Sequence, residues 1–374
     1  MLPAPQSNAP SLADVLESSL RAVESGPNSL GLPPVDRAIV VLVDGLGAES
    51  LRGRSGHARS LARALERGSI IQAGFPTTTA SAITTLTTGR LPGAHGIVGY
   101  AVADPARDSV VNQLTGWDDR QDPATWQRVP TLFETASDRG LDAVAIGPER
   151  YRGSGFSQAA LRGAQYLAGA SLDDRVRRAL EWLASGRRGI AYLYVPELDV
   201  IAHARGVQSV EWTSALEDVE AMLGGLAQRL GRGEGMLVTA DHGVIDIPGY
   251  AHVLVDEVPG LLDGVRHVAG EPRCLQLRFE ETGDPAAIVD RWREAESHRA
   301  WVATRDEVID SGWLGPVEPE VRARMGDLFV AARKAIAYYD ARTAGGARSM
   351  VGQHGSLSPT ELRVPLLRFG AFDD

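Results

Sequence analysis

The sequence predicts an α/β protein: a mostly parallel sheet flanked by helices, with a smaller α+β insertion late in the chain. Three observations lead there. Five short apolar runs, AIVVLV (38–43), SIIQAG (69–74), DAVAIG (142–147), GIAYLYV (189–195) and GMLVTA (235–240), are nearly continuous rather than alternating, as expected of strands covered on both faces. Amphipathic stretches separate them, which is the alternation of a parallel sheet with helical crossovers. After Gly249 the pattern changes to shorter strand segments around one helix.

Taken in order, residues 1–10 form a loose, proline-containing leader, and Ser11 is placed to cap a helix reaching about Val23. The Gly/Pro-rich SGPNSLGLPPVDR then separates this helix from the first strand, so 1–35 reads as leader and helix. Helices are expected over SLARALERG (60–68), TLFETASDRG (131–140), SLDDRVRRALEWLASG (171–186) and SVEWTSALEDVEAMLGGLAQRLG (209–231). Residues 36–249 and 346–374 make up the core, the chain returning to the main sheet through GQHGSLSPTELRVPLLRFG (352–370). Residues 250–345 form the insertion, a cap with strands at RCLQLRFE (273–280), AWVATRDE (300–307) and DLFVAARKA (327–335) and a helix at PAAIVDRWREAES (285–297).

A chain of 374 residues, 44% of them hydrophobic, can bury a large core and more than one domain. Its net charge of −10 argues against a nucleic-acid polymer as partner. A single cysteine, Cys274, excludes an intramolecular disulfide and fits a reducing compartment. The opening residues lack a basic segment followed by an apolar one, and no run approaches the roughly 18 apolar residues of a membrane span. The expectation is a cytoplasmic protein without a membrane partner; no motif specifies an oligomeric state.

Open α/β sheets bind ligands beyond the carboxyl ends of their strands, and four of the five runs end in chemically useful residues. AIVVLV ends at Asp44, SIIQAG leads into FPTTTASA, GIAYLYV leads into PELDVIAHARG, and GMLVTA ends at Asp241-His242. Neighbours within a strand point to opposite faces, so Asp241 and His242 can share a target only where the strand has ended. Asp199 and His203 are four apart, which on a helix puts them on one face. Mixed Asp and His ligands suit zinc or manganese, and adding His354 gives enough ligands for two ions. A Thr following Pro76 would present its hydroxyl at a helix N-terminus, where developing negative charge is favoured. Each piece alone has a plainer explanation: a turn at Asp44, a solvated face at Asp199 and His203, a cap or a core histidine at Asp241-His242, a helix cap in the Thr run and a loop histidine at His354. Their shared placement after strands is what raises the joint reading.

In order and spacing, VDGLG, FPTTTASAITTLTTGRLPGAHGI, YVPELDVIAHARG, TADHG and GQHGS resemble the type I phosphodiesterase/nucleotide pyrophosphatase family of the alkaline phosphatase superfamily. The likeness covers about 38–248 and 350–368 and implies an alkaline-phosphatase-like core. It also implies two zinc ions (manganese being the chemical alternative), one held by Asp199, His203 and His354 and the other by Asp44, Asp241 and His242. Thr79 would be the nucleophile, bridging towards the second ion and becoming transiently esterified, and the substrate a small phosphoester. The chain departs from the pattern after Thr79, where Ala80-Ser81-Ala82-Ile83 stands in place of Phe-Pro-Asn-His, and after His354, where Gly355-Ser356-Leu357 stands in place of Gly-Tyr-Asp. A formylglycine sulfatase is disfavoured because Cys274 is followed by Leu275-Gln276-Leu277, and a phosphoglycerate mutase because it would use Ser. Phosphomonoesterase, phosphonate hydrolase and a non-catalytic metal-binding or interaction protein are the alternatives.

Overall fold

The computed structural model describes residues 2–6, 9–342 and 345–373; Met1, Ser7 and Asn8 of the expected leader, Thr343 and Ala344 of the insertion and Asp374 lie outside them. A seven-stranded sheet runs Ser69–Gln72, Arg363–Gly370, Glu234–Thr239, Arg37–Val43, Gly189–Val195, Asp142–Gly147, Gln165–Ala168. Arg363–Gly370 alone runs against the others, because the chain re-enters the sheet from the end where the parallel strands finish. All five apolar runs are strands of this sheet, and its centre is sealed: Ala38 through Val43 have no exposed surface. That burial on both faces is why these runs do not alternate.

The expected helices form at Leu12–Val23, Arg59–Arg67, Leu132–Asp138, Leu172–Ala184 and Val210–Ala227. The first begins at Ser11, whose amide donates to the Asp14 carboxylate at 2.8 Å, and it buries Leu12, Val15, Leu16 and Leu20 in the same core as the central strands.

Register positions the site. Leu42 pairs with Thr239 and Val43 with Val195, so three adjacent parallel strands end level and their loops leave from one edge. The Asp241-His242 loop is then pressed against its neighbours. A Cβ on Gly243 would lie 2.0 Å from the Thr360 carbonyl oxygen and 2.9 Å from Gly47 Cα, a gap that admits only glycine.

Residues 265–332 contain an antiparallel sheet ordered Val265–Glu271, Cys274–Phe279, Leu328–Ala332, Ala300–Thr304, against which the helix Pro285–Glu296 packs Ile288, Val289 and Trp292. The strand Val265–Glu271 escaped the sequence reading because VRHVAGE carries charge, imidazole and glycine in place of an apolar face. The hairpin Ala101–Asp104 with Ser109–Asn112 and the edge strand Gln165–Ala168 were missed because all three are four residues long, and the last two are also only partly buried.

This sheet is tied to the main core by a buried ion pair. Arg273 Nε and Nη2 each donate to a Glu361 carboxylate oxygen at 2.7 Å, and neither side chain is exposed. Arg273 Nη1 also donates to the carbonyls of Lys334 and Ile336, while Glu361 accepts from the Ser356 amide and the Ser358 hydroxyl. Burial alone would raise the Glu361 carboxyl, but the Arg273 charge and these donors together hold it below its ordinary range. Glu361→Ala is expected to destabilise the fold by about 3–5 kcal/mol because it strands a buried guanidinium. Replacing both residues, Arg273→Met with Glu361→Leu, should cost less than either alone, as read by urea denaturation.

Candidate functional site

Asp44 follows the strand ending at Val43, the helix Glu197–Arg205 starts after Val195 and Pro196, and Asp241 and His242 lie past the strand ending at Thr239. On the helix, Asp199 and His203 do share a face, with Asp199 Oδ2 3.3 Å from His203 Nε2. His354 arrives from the returning segment and stacks on His242 with ring centroids 3.6 Å apart.

Among the described residues, Asp199, His203 and His354 form one group and Asp44, Asp241 and His242 a second, the ligand atoms of each group lying within 4.8 Å of one another. His242 Nε2 is 3.5 Å from Asp44 Oδ1, 3.5 Å from Asp241 Oδ2 and 3.1 Å from Thr79 Oγ1. Neighbouring ligands of a tetrahedral ion with bonds of ~2.0 Å stand about 3.3 Å apart, so these separations suit one small divalent cation.

The donor atoms facing one another are free of other partners. Asp44 Oδ1, Asp241 Oδ2 and Asp199 Oδ1 are buried without a hydrogen-bond partner, a costly state for a carboxylate unless a cation faces it. The opposite oxygens are occupied: Asp241 Oδ1 accepts from the amides of Gly45 and His242, and Asp44 Oδ2 accepts from the Tyr194 hydroxyl. Each imidazole donates from Nδ1 to a carbonyl, His203 to Gly352 at 2.7 Å, His354 to Thr77 at 2.8 Å and His242 to Gly243 at 3.3 Å. That fixes the tautomer and leaves every Nε2 lone pair available.

Electrostatics agree. Burial, then the charges of Asp241 and Asp199, raises the Asp44 carboxyl well above its ordinary range, and burial raises Asp241 also. Burial pushes His242 and His354 down, towards the neutral form that binds metal. His95 plays a different part: its Nδ1 accepts from the Ile97 amide, its Nε2 donates to Thr85, and burial lowers it to about 3.

The three threonines separate cleanly. Thr77 donates to the Ser356 carbonyl and accepts from the Gly355 amide, Thr78 is the N-cap of the helix Thr79–Thr88, and Thr79 faces His242. Thr79, Asp44 and Asp199 line a pocket of 530 Å³ whose remaining wall is rich in aromatic rings, including Trp117, Tyr151, Phe156 and Tyr192. A wider groove of 1110 Å³, between the 101–112 hairpin and the antiparallel sheet, contains none of the candidate ligands. The aromatic wall and the Tyr194 contact to Asp44 were missed from sequence. Tyr192 and Tyr194, two apart in a strand, were legible as one face; Trp117 and Tyr151 come from segments without a pattern.

Residues 38–357 match the family model for type I phosphodiesterase/nucleotide pyrophosphatase. The chain belongs to that family. It is 27% identical over 222 residues to an uncharacterised pyrophosphatase/phosphodiesterase of Schizosaccharomyces pombe, covering 55% of this chain and 44% of that protein. It is 24% identical over 196 residues to a phosphopentomutase of Syntrophotalea carbinolica, covering 52% and 47% respectively. The matches thus span less than half the length of these curated relatives. Murine ectonucleotide pyrophosphatase/phosphodiesterase 5, solved as an inactive form with AMP, has the same fold, with a TM-score of 0.70 at 19% identity over 89% of this chain and 88% of that one. Among the described residues no helix is long and apolar enough to cross a membrane.

Because protons and the cation compete for the raised Asp44 and Asp241 carboxyls, divalent-cation affinity is expected to fall as pH drops from about 8 to about 6. Calorimetric titration of metal-stripped protein with zinc across that range checks this.

Proposed function

We propose that this family member is a two-zinc phosphohydrolase acting on phosphodiesters or pyrophosphates of the nucleotide type, with Thr79 as nucleophile. The observation that carries the reading is the position of the Thr79 hydroxyl, 3.1 Å from His242 Nε2 at the meeting point of the Asp44, Asp241 and His242 donors and on the wall of the aromatic pocket. Asp44, Asp241 and His242 would hold one ion, Asp199, His203 and His354 the other, with manganese the chemical alternative to zinc. Bound cations supply positive charge that lowers the hydroxyl pKa and neutralises the phosphoryl oxygens.

The residues do the rest. Thr79 sits in the first turn of its helix, where amide dipoles favour an oxyanion. Its oxygen attacks phosphorus, the bond to the leaving oxygen breaks, and the phosphoryl group becomes esterified to Thr79. Water then attacks the same phosphorus, releasing the hydroxyl and the second product. The aromatic wall holds a planar group on the substrate, in keeping with the AMP bound by the murine relative. The segment 250–345 acts as a cap beside this core. A chain whose one cysteine is buried suits a reducing compartment such as the cytoplasm.

The test is turnover of bis-(p-nitrophenyl) phosphate against p-nitrophenyl phosphate by zinc-loaded protein. A diester preference is expected; a monoester preference would move the protein to the phosphatase branch. Thr79→Ala should lower kcat by about a thousandfold or more while zinc content is kept, and a fully active Thr79→Ala protein would refute the nucleophile.

A further inference from the structure

One buried acid near the site has no role in this chemistry. Glu271 ends a strand of the antiparallel sheet, is 5% exposed, and both its carboxylate oxygens lack a hydrogen-bond partner. A carboxyl in that condition calls for an explanation. It lies within reach of the Thr78 hydroxyl and the Tyr100 amide, which favour its charged form, but burial outweighs them and pushes it up to about 8.

Thr78 is anomalous in the same way. As the N-cap of the helix that begins with Thr79, its hydroxyl would ordinarily accept from an amide of the first turn. It makes no such cap bond, and Thr78 Oγ1 is buried without a partner. The cap hydroxyl is therefore withheld from its own helix, and the neighbouring polar side chain is Glu271. On its other flank Glu271 meets the loop that carries His354: a Cβ on Gly355 would lie 2.4 Å from Glu271 Cγ, and Gly355 has φ +132°. The acid is thus wedged between the residue before Thr79 and the residue after His354.

The geometry points to Glu271 as a positioning residue for the nucleophile, its carboxyl engaging the Thr78 hydroxyl and so setting the first turn of the Thr79 helix against the His354 loop. This rests on the reading of Thr79 as nucleophile. It gives the antiparallel sheet a task beyond covering the core, since that sheet supplies the acid. A carboxyl oxygen of Glu271 can accept from the Thr78 hydroxyl, an arrangement that the glutamine side-chain oxygen reproduces.

The experiment measures kcat and KM of the zinc-loaded full chain on bis-(p-nitrophenyl) phosphate for Glu271→Ala, Glu271→Gln, Thr78→Val and the Glu271→Ala/Thr78→Val double variant, with zinc content determined for each. Glu271→Ala and Thr78→Val should each lower kcat about tenfold with KM little changed. Glutamine should recover most of what alanine loses, and the double variant should be no slower than the slower single, as for two ends of one contact. Should the alanine variant fail to fold, Thr78→Val and Glu271→Gln carry the test. Wild-type kcat in Thr78→Val, additive losses in the double variant, or a fall in kcat that only tracks lost zinc would each overturn the proposal. Failure of the underlying reading is seen separately, as a zinc-loaded wild type inert on the diester or a Thr79→Ala protein of full activity.

Discussion

The site depends on a contact made outside it, the buried pair of Arg273 and Glu361. Glu361 gathers three pieces of chain that are distant in sequence. Its carboxylate takes Arg273 from the antiparallel sheet and the Ser356 amide from just beyond His354, and its carbonyl accepts the Gly243 amide at 2.8 Å, next to His242. Two candidate ligand loops are therefore referenced to one residue. A buried pair of this kind adds little net stability over an apolar equivalent, but it tolerates only one arrangement of the groups around it. That exclusiveness suits a site whose donor atoms must converge within a few tenths of an ångström.

A second constraint is the cost of crowding three buried aspartates. Burial and the neighbouring Asp199 charge raise the proton affinity of Asp44 and Asp241, and one oxygen on each of the three aspartates is left without a partner. The fold resolves the opposite oxygens with amides and with Tyr194, and it directs each imidazole by a carbonyl. These contacts leave an unpartnered oxygen on each aspartate and an Nε2 free on each imidazole, a donor set suited to positive charge. Thr79 stands beside one of these donors, its hydroxyl 3.1 Å from His242 Nε2. On a helix N-terminus beside an aromatic pocket, its hydroxyl combines a place for negative charge with a place for the rest of a substrate.

Much of this was legible in the sequence, for reasons that can be named. The sheet could be read because strands buried on both faces are continuous apolar runs, whereas the register that ends Val43, Val195 and Thr239 nearly level is seen only in the structure. Asp199 and His203 could be paired by helical spacing, and Asp241 with His242 by the end of a strand. What could not be read depends on contacts between segments far apart in the chain. Nothing local to Arg273 marks its partner as Glu361, nothing in VRHVAGE marks Glu271 as lying beside Thr78, and Trp117 and Tyr151 reach the pocket from loops without periodicity. The antiparallel direction of Arg363–Gly370 is equally a matter of where the chain must re-enter.

The central claim is that substrate phosphorus bonds transiently to Thr79. Acid quenching of zinc-loaded protein during turnover of bis-(p-nitrophenyl) phosphate, followed by mass spectrometry of its peptides, tests it most directly. The account predicts a p-nitrophenylphosphoryl adduct on Thr79 and none on Thr77 or Thr78. An active protein whose adduct sits on another residue would contradict it.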